Sequence, residues 1–211
     1  MPEASLLRIQ PGARVETPLC RVAQELGQLS GGRRYGLGLL LGALAAAALA
    51  PIDLTPLVFV VFPCILWLDA GSAGAWASFR LGYVFGFGFF LAGMYWVAAA
   101  LLVDIARFWW LVPFALAGLP ALLALSVGAA FLSTHLASRG LGLSPAARVA
   151  FFAVAWSAFE WVRGHALTGL PWNLIGYVWA GGFPGAIAVL EIVAWIGIYG
   201  LGFLTVLAAG L

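Results

Sequence analysis

The protein has 211 residues, of which 64% are hydrophobic and 9% are charged, and its mean hydropathy is +1.06. A soluble domain carries roughly 25% charged residues, so this chain has too little polar surface for a water-soluble fold. All ten basic residues are arginine. They are scattered around apolar blocks and form no basic patch, which excludes a nucleic-acid-binding surface. We therefore predict an all-α fold, a polytopic helical bundle in a membrane.

The chain divides into a polar N-terminal segment and a long apolar remainder. Residues 1–35 contain Pro, Gly, Arg and Glu without a long apolar run. They are predicted to form a cytoplasmic extension with a short helix near Val15–Leu29. Residues 36–211 are predicted to form a transmembrane domain, because their apolar blocks suit a bilayer core of about 30 Å.

About six membrane segments are predicted in this domain. Their approximate bounds are Gly36–Ala50, Leu57–Leu68, Trp76–Val103, Phe108–Ala137, Ala146–Val162 and Ala186 to the end. The first two are short for a full crossing and are joined by the turn Pro51–Pro56, which predicts a tight hairpin. Pro113 and Pro120 are expected to kink the fourth segment or to delay its start. Glu191 indicates that the sixth crossing begins later, near Trp195.

The arginines predict the orientation of the bundle. One set of connections, together with the N-terminal flank, contains five of them: Arg33, Arg34, Arg80, Arg139 and Arg148. The opposite loops contain Arg107 and Arg163, and this asymmetry predicts a cytoplasmic N-terminus. An alternative is that the arginine pair, the apolar run Leu37–Leu49 and the sequence Ala48-Leu49-Ala50 form a secretory signal peptide. The late start of that run and the apolar segments after it favour an uncleaved helix.

Glu160 and Arg163 lie at the outer end of the fifth predicted segment. They are three positions apart near the end of the fifth segment, so they share one helix face. Ionisable groups at membrane depth are costly and often functional. One interpretation is a structural ion pair with Arg163 extending toward the interface. The other is that both residues line a site.

A loop rich in glycine, proline and tryptophan follows this pair, over Arg163–Gly185. Its proline and glycines predict a rigid turn, and Trp172 offers a large amphipathic surface at the membrane boundary. Trp172, with Pro171 and Tyr177, is a candidate substrate-binding element, and the competing interpretation of Trp172 is an interfacial anchor. Earlier in the chain, Gly82-x-x-x-Gly86 predicts close packing between helices.

The sequence predicts no catalytic site, metal or cofactor in this chain. Cys20 and Cys64 lie in unrelated settings, which makes neither a disulfide framework nor a metal site. No set of Ser, His and Asp or of Cys and His can be assembled for nucleophilic catalysis.

Several of these stretches resemble one family. The most specific is Glu160-Trp161-Val162-Arg163-Gly164, followed by Leu167-Thr168-Gly169-Leu170-Pro171-Trp172-Asn173-Leu174-Ile175-Gly176-Tyr177. The stretch Gly197–Phe203, the glycine-rich segment Gly82–Trp96 and the turn Ala50–Asp53 extend the likeness. Over about Gly36 to Leu211, the chain resembles the apolipoprotein N-acyltransferases.

The resemblance implies a bacterial inner-membrane enzyme of lipoprotein maturation. Members of the family transfer an acyl chain from a phospholipid donor to the N-terminal diacylglyceryl-cysteine of an apolipoprotein acceptor. The acyl group first forms a thioester on a catalytic cysteine and then passes to the α-amino group. A periplasmic nitrilase-like domain supplies the Glu-Lys-Cys triad for this reaction. In this chain, Trp172 with Pro171 and Tyr177 matches the family's membrane-loop motif near the active-site entrance.

The chain departs from the family pattern in its chemistry. It contains no lysine, so the triad cannot be assembled from these residues, and we expect the chain alone to be inactive. It stops within an apolar run at Ala208-Ala209-Gly210-Leu211, which we interpret as a truncation before the nitrilase-like domain. The alternative is a small membrane scaffold or transporter-like subunit that is complete at this length.

Overall fold

The computed structural model describes residues 17–166, 169–181 and 183–211, and these residues form helices and turns without a strand. The predicted all-α class is therefore confirmed. The helices are α1 (Pro18–Gln28), α2 (Gly31–Ala46), α3 (Val58–Ala70), α4 (Ala75–Gly93), α5 (Tyr95–Leu101), α6 (Ile105–Phe108), α7 (Leu119–Leu141), α8 (Pro145–His165), α9 (Ala186–Leu190) and α10 (Val193–Gly210). Residues 1–16 of the predicted extension, and residues 167, 168 and 182 of the predicted loop, lie outside the described residues.

Three helical segments among the described residues are long and apolar enough to cross a membrane: Ala75–Gly93, Phe114–Leu141 and Val193–Gly210. These three segments support the prediction of a membrane protein. The predicted number of spans, about six, is not confirmed and stays a prediction. The two segments of the predicted hairpin correspond to α2, with 16 residues, and α3, with 13. Both are short for a full crossing, as their apolar runs indicate.

Local signals in the sequence place several helix ends. The hydroxyl of Thr17 accepts a hydrogen bond from the backbone N–H of Cys20 at 3.4 Å at the start of α1. The hydroxyl of Ser144 accepts one from Ala147 at 3.3 Å at the start of α8. Both caps satisfy N–H groups that have no partner within the helix. Gly142 ends α7 in the left-handed region, with φ 61°, where glycine has no steric penalty.

Three predicted segments are interrupted in the structure. The third ends as α4 at Gly93, ten residues before the predicted end at Val103, and a bend at Met94 separates it from α5. In the fourth, Pro113 precedes a turn of π-helix and Pro120 lies in the first turn of α7. The predicted delay is therefore confirmed, because a proline removes a helical hydrogen-bond donor.

The sixth predicted segment is also divided. The short helix α9 is followed by α10, which begins at Val193 and contains a non-helical residue, Gly197, with φ 70°. The later start that Glu191 indicated is confirmed, since the membrane-length helix begins two residues after it.

Helix α4 lies between α2 and α7 at the centre of the bundle, and glycines allow the close approach. A Cβ on Gly42 would lie 2.0 Å from the carbonyl oxygen of Phe85, and one on Gly88 would lie 2.3 Å from that of Leu39. Toward α7, a Cβ on Gly82 would meet the ring of Phe131 at 2.6 Å. The predicted packing role of the glycines is confirmed. The core beside them is aromatic and includes Phe62, Phe85, Phe89, Phe131, Phe152 and Trp156.

The two ends of the bundle differ. At one end lie α1, the starts of α2, α4 and α8, and the ends of α3 and α7; we call it the arginine-rich end. There Arg34 donates 2.8 Å hydrogen bonds to the carbonyls of Leu68 and Gly71. Arg148 forms a salt bridge of 2.5 Å with Asp69, which is 2% exposed. These contacts tie the starts of α2 and α8 to the end of α3. The opposite end carries the long loop after α8, and we call it the loop end.

Candidate functional site

The loop over residues 169–181 is seated on the ends of the surrounding helices. Its last part is a turn of 3-10 helix, Ile175–Ala180. The hydroxyl of Thr55 donates to the carbonyl of Val178 at 2.6 Å, and the indole N–H of Trp179 donates to the hydroxyl of Thr205 at 2.8 Å. These bonds join the loop to the segment before α3 and to α10. The described part of the loop is therefore fixed by tertiary contacts, as the predicted rigid turn requires.

Glu160 and Arg163 hold the loop from the end of α8. Both are buried, at 5% and 8% exposed. The Glu160 carboxylate accepts a hydrogen bond from the backbone N–H of Ile175 at 2.9 Å. Arg163 Nη1 donates to the carbonyls of Leu170 and Trp172, each at 2.7 Å. The two residues thus bind opposite ends of the segment that presents Trp172.

The two charges also interact with each other electrostatically. Among the described residues, however, their hydrogen bonds go to the loop backbone. Glu160 Oε2 and Arg163 Nε and Nη2 have no hydrogen-bond partner in the described part of the chain. The guanidinium of Arg163 also lies over the ring of Phe90, 5.0 Å from its centroid, a favourable position for a cation. A direct ion pair between Glu160 and Arg163 therefore stays a prediction. Both residues also shape the loop through their hydrogen bonds to its backbone.

A small cavity lies beside these unpaired atoms. Its lining includes Phe90, Ser126, Trp156, Glu160 and Arg163, and the space open to the centre of a water molecule is about 10 Å³. That volume accommodates about one water molecule. The cavity therefore has the polar lining that a single bound water needs.

The three candidate substrate-binding residues lie on the exposed side of the loop. Trp172 is 41% exposed and Tyr177 is 45% exposed, and Pro171 is also exposed. The ring of Trp172 stacks on that of Trp96, with centroids 4.5 Å apart and an interplanar angle of 18°. An amphipathic surface is thus available to a ligand next to a fixed aromatic pair, which fits both the anchor and the substrate-contact interpretations.

Trp96 and Asn173 lie within the quoted motifs but were not predicted as site residues. Trp96 follows the bend that ends α4. A Cβ on Gly93 would lie 1.8 Å from the Nδ2 atom of Asn173, so this glycine makes room for the loop. The sequence signal for this contact was Gly93, which lies just before the aromatic residues Tyr95 and Trp96. Glycine-rich helices are common in membrane proteins, however, and a glycine does not show which loop will pack against it.

An apolar groove between α7 and α8 leads to the same place, and we call it the outer groove. Its volume is about 580 Å³, within the usual range for small-molecule sites. Leucine is the most frequent residue in its lining, which includes Leu119, Leu122, Leu125, Phe159, Arg163 and Leu170. One end therefore offers a guanidinium and the rest offers apolar surface, which suits an amphiphile with a hydrocarbon chain.

The described residues supply little else for catalysis. No group of three or more His, Cys, Asp or Glu side chains in the described ranges lies together in a way that could hold a metal ion. Cys20 is exposed in α1 at the arginine-rich end, and Cys64 lies inside α3. The exposed indole of Trp172, the guanidinium of Arg163 and the apolar lining of the outer groove are chemically suited to an amphiphilic ligand.

Comparison with known proteins places this arrangement in a family. The family model for the N-terminal domain of apolipoprotein N-acyltransferase matches residues 41–211. The chain belongs to the apolipoprotein N-acyltransferase family. The matched residues contain Glu160, Arg163 and the loop with Trp172, so the candidate site lies wholly within the family's N-terminal domain.

Similar proteins in the family come from several bacteria, and all three named here are apolipoprotein N-acyltransferases. The one of Rhodopseudomonas palustris is 39% identical over 193 residues, covering 89% of this chain and 34% of that protein. The one of Rickettsia prowazekii is 39% identical over 168 residues, covering 80% and 32%. The one of Allorhizobium ampelinum is 37% identical over 196 residues, covering 88% and 35%. The chain spans about a third of the length of the curated relatives it matches.

These relatives confirm the resemblance read from the loop motif. They give no support to the alternative of a scaffold or transporter-like subunit. The part of the family that this chain represents is its N-terminal domain.

Proposed function

We propose that this chain is the membrane portion of an apolipoprotein N-acyltransferase. In this proposal the whole enzyme transfers an acyl chain from a membrane phospholipid to the diacylated N-terminal cysteine of an apolipoprotein. The chain alone does not transfer acyl groups, because the lysine of the Glu-Lys-Cys triad is not among its residues. Its role is to hold the lipid-facing part of the site in the bacterial inner membrane.

The observation that carries this proposal is the support that Glu160 and Arg163 give to the loop with Trp172. Both side chains bind the loop backbone through their charged ends, and charge-assisted bonds of this kind are about twice as strong as neutral ones. The loop is therefore held in one position while Trp172 remains 41% exposed. A fixed, exposed indole at a membrane boundary is suited to orienting a lipid substrate.

The outer groove supports the same assignment. It ends at Arg163 and Leu170, and apart from Ser126 its remaining lining is apolar. In the proposal, the groove accommodates an acyl chain and the Arg163 end lies toward the polar head of the lipid. Pro171 and Tyr177 border the exposed surface on which Trp172 contacts the substrate.

A chimeric enzyme tests the proposed function. Residues 1–211 of this chain are joined to the remainder of the Rhodopseudomonas palustris relative, and N-acylation of a diacylated lipoprotein is followed by gel shift. We expect the chimera to acylate the substrate and the 211-residue chain alone to give no product. We expect Trp172→Ala in the chimera to reduce the rate at least tenfold. The matched control is Trp195→Ala, because Trp195 is 90% exposed and is not part of the loop.

The outcomes separate the parts of the proposal. A chimera that folds and inserts but does not acylate would count against the assigned role. Turnover by the 211-residue chain above a no-enzyme control would overturn its inactivity. Equal losses for Trp172→Ala and Trp195→Ala would remove the special role of Trp172.

The proposal includes a cytoplasmic N-terminus. The arginine-rich end then faces the cytoplasm and the loop end faces the periplasm, in accord with the positive-inside rule. Cys20 reports this directly, because it is exposed in α1. A membrane-impermeant maleimide is expected to leave Cys20 unlabelled in intact spheroplasts and to label it after lysis. Cys20→Ser provides the background from Cys64, and labelling of Cys20 in intact spheroplasts would reverse the orientation.

A further inference from the structure

A second groove lies at the arginine-rich end, away from the loop and its tryptophan. It runs along α4 toward α7, and we call it the inner groove. It is lined by Tyr35, Trp76, Phe79, Arg80, Tyr83, Val84 and Leu125 and has a volume of about 610 Å³. Leu125 belongs to the first half of α7, so the groove extends from the end of the bundle toward its middle.

One wall of the inner groove is a ladder of three aromatic rings on α4. Trp76 and Phe79 stack with their ring centroids 4.8 Å apart and an interplanar angle of 7°. Phe79 and Tyr83 continue the ladder at 6.2 Å and 19°. Their spacing of three and four residues places all three on one face of the helix. This face is open at its end, because Trp76 is 65% exposed.

A cation stands beside the ladder. The guanidinium carbon of Arg80 lies 5.0 Å from the centroid of the Tyr35 ring, and the Arg80 side chain is exposed. The ring holds the cation by a cation–π contact, which leaves the N–H groups at the edge of the guanidinium free to donate. A planar guanidinium presented in this way binds a phosphate well.

The charge around the groove favours an anion. The described residues at this end include six arginines and two carboxylates: Arg21, Arg33, Arg34, Arg80, Arg139 and Arg148 against Glu25 and Asp69. Asp69 forms a salt bridge with Arg148, so its charge is balanced within the bundle. The excess of positive charge attracts anionic lipid headgroups to this end of the protein.

The geometry points to a binding site for one anionic phospholipid in the inner groove, and we propose this as a second lipid site of the protein. The phosphate binds the Arg80 guanidinium near Tyr35. An acyl chain lies along the aromatic ladder and reaches Val84 and Leu125. The phosphate end of the site lies at the opposite end of the bundle from Trp172, and the site does not depend on acyl transfer. Its apolar end reaches Leu125, which also lines the outer groove.

The features of the groove select a lipid as its occupant. The polar contact is at the end of the bundle, and the apolar wall continues from it toward the membrane interior, which is the order of groups in a phospholipid. Leu125 is 47% exposed, so the groove opens sideways toward the bilayer as well as at its end. A lipid can therefore enter from the leaflet without crossing the protein.

Native mass spectrometry of the full chain tests this site. The protein is purified in detergent with phosphatidylglycerol or phosphatidylcholine, and retained lipid is counted as mass adducts. We expect preferential retention of phosphatidylglycerol. Arg80→Gln should weaken it about fivefold, the usual effect of one basic residue near an anionic lipid surface. Val84→Trp should reduce phosphatidylglycerol retention by filling the apolar part of the groove, and Val84, unlike Leu125, does not line the outer groove.

Matched variants keep the test specific. Arg139→Gln removes an exposed arginine from the same end, and Leu136→Trp enlarges a residue of α7 that is 55% exposed; neither residue lines the groove. We expect both controls to retain phosphatidylglycerol as the parent chain does. Unchanged retention in Arg80→Gln and Val84→Trp, or equal losses in the controls, would overturn the proposal. A dimer that covers this face and excludes lipid would overturn it as well.

Discussion

Trp96 and Trp172 stack face to face, with ring centroids 4.5 Å apart, although they belong to different parts of the chain. Trp96 is at the start of α5, just past the bend that ends α4, and Trp172 is in the loop after α8. The pair therefore couples the position of the loop to the bend in the central helix. The exposed side chain of Trp172 is therefore supported by the ring of Trp96.

Loss of this support should impair the enzyme without removing Trp172 itself. In the chimera with the Rhodopseudomonas palustris relative, we expect Trp96→Ala to lower the N-acylation rate about two- to tenfold. This range corresponds to the interaction free energy of one aromatic pair. Trp96→Phe should retain most of the rate because it keeps a stacking surface. The control is Trp109→Ala, since Trp109 is 66% exposed. An unchanged rate in Trp96→Ala would show that the stack does not position the loop.

Removal of the Glu160 charge should destabilise the loop end strongly. Glu160→Leu leaves Arg163 buried without its neighbouring negative charge, and breaking such a pair typically costs about 3–5 kcal/mol. Glu160→Gln keeps an oxygen that can accept from Ile175, so its loss should be smaller. Unfolding of the purified protein in detergent, followed by circular dichroism, measures the difference.

Glu191→Gln is the matched control for these two variants. Glu191 is exposed, so its replacement should change the free energy of unfolding by less than about 0.5 kcal/mol. If Glu160→Leu were as stable as Glu191→Gln, the two charges would not hold the loop.

The arginine-rich end offers an independent test on a different ion pair. Asp69→Asn removes the salt-bridge partner of Arg148 and alters the acceptor of the Ser72 hydroxyl. Asp69 is buried but Arg148 is partly exposed, so we expect a loss of about 1–3 kcal/mol, between the values for exposed and buried pairs. Thermal unfolding measures it, and Arg139→Gln at the same end should be nearly neutral. A neutral Asp69→Asn would mean that the backbone bonds of Arg34 alone hold this end.

The crossing of α2 and α4 should be sensitive to single methyl groups. Gly42→Ala places a Cβ against the backbone of Phe85 at 2.0 Å, so the helices must separate, and we expect a loss of at least about 2 kcal/mol from disrupted packing. Gly36→Ala on the same helix meets nothing within 4 Å and should be neutral or slightly stabilising, because alanine favours a helix. The fraction of folded protein recovered in detergent checks both. Equal recovery of the two variants would contradict the close-packing role of Gly42.

Much of the architecture could be predicted because its signals are local. Thr17 and Ser144 cap the helices that follow them, and Pro120 marks the first turn of α7. The placement of Glu160 and Arg163 on one face followed from helical periodicity alone. The bend at Met94 could not be predicted in this way, since the apolar run continues across it without a proline. It occurs where Gly93 meets Asn173 of a distant loop.

The sequence by itself determined that this is a helical membrane protein with an asymmetric distribution of arginines and an acyltransferase-like loop motif. Only the tertiary structure decided which apolar faces form the core, the outer groove and the inner groove. The physical reason is that lipid and protein interior are equally apolar, so hydropathy does not separate them. Leu122 is 56% exposed and its neighbour Leu123 is 7% exposed. What distinguishes them is the position of α4 and α8 against α7, which depends on contacts between residues far apart in the chain.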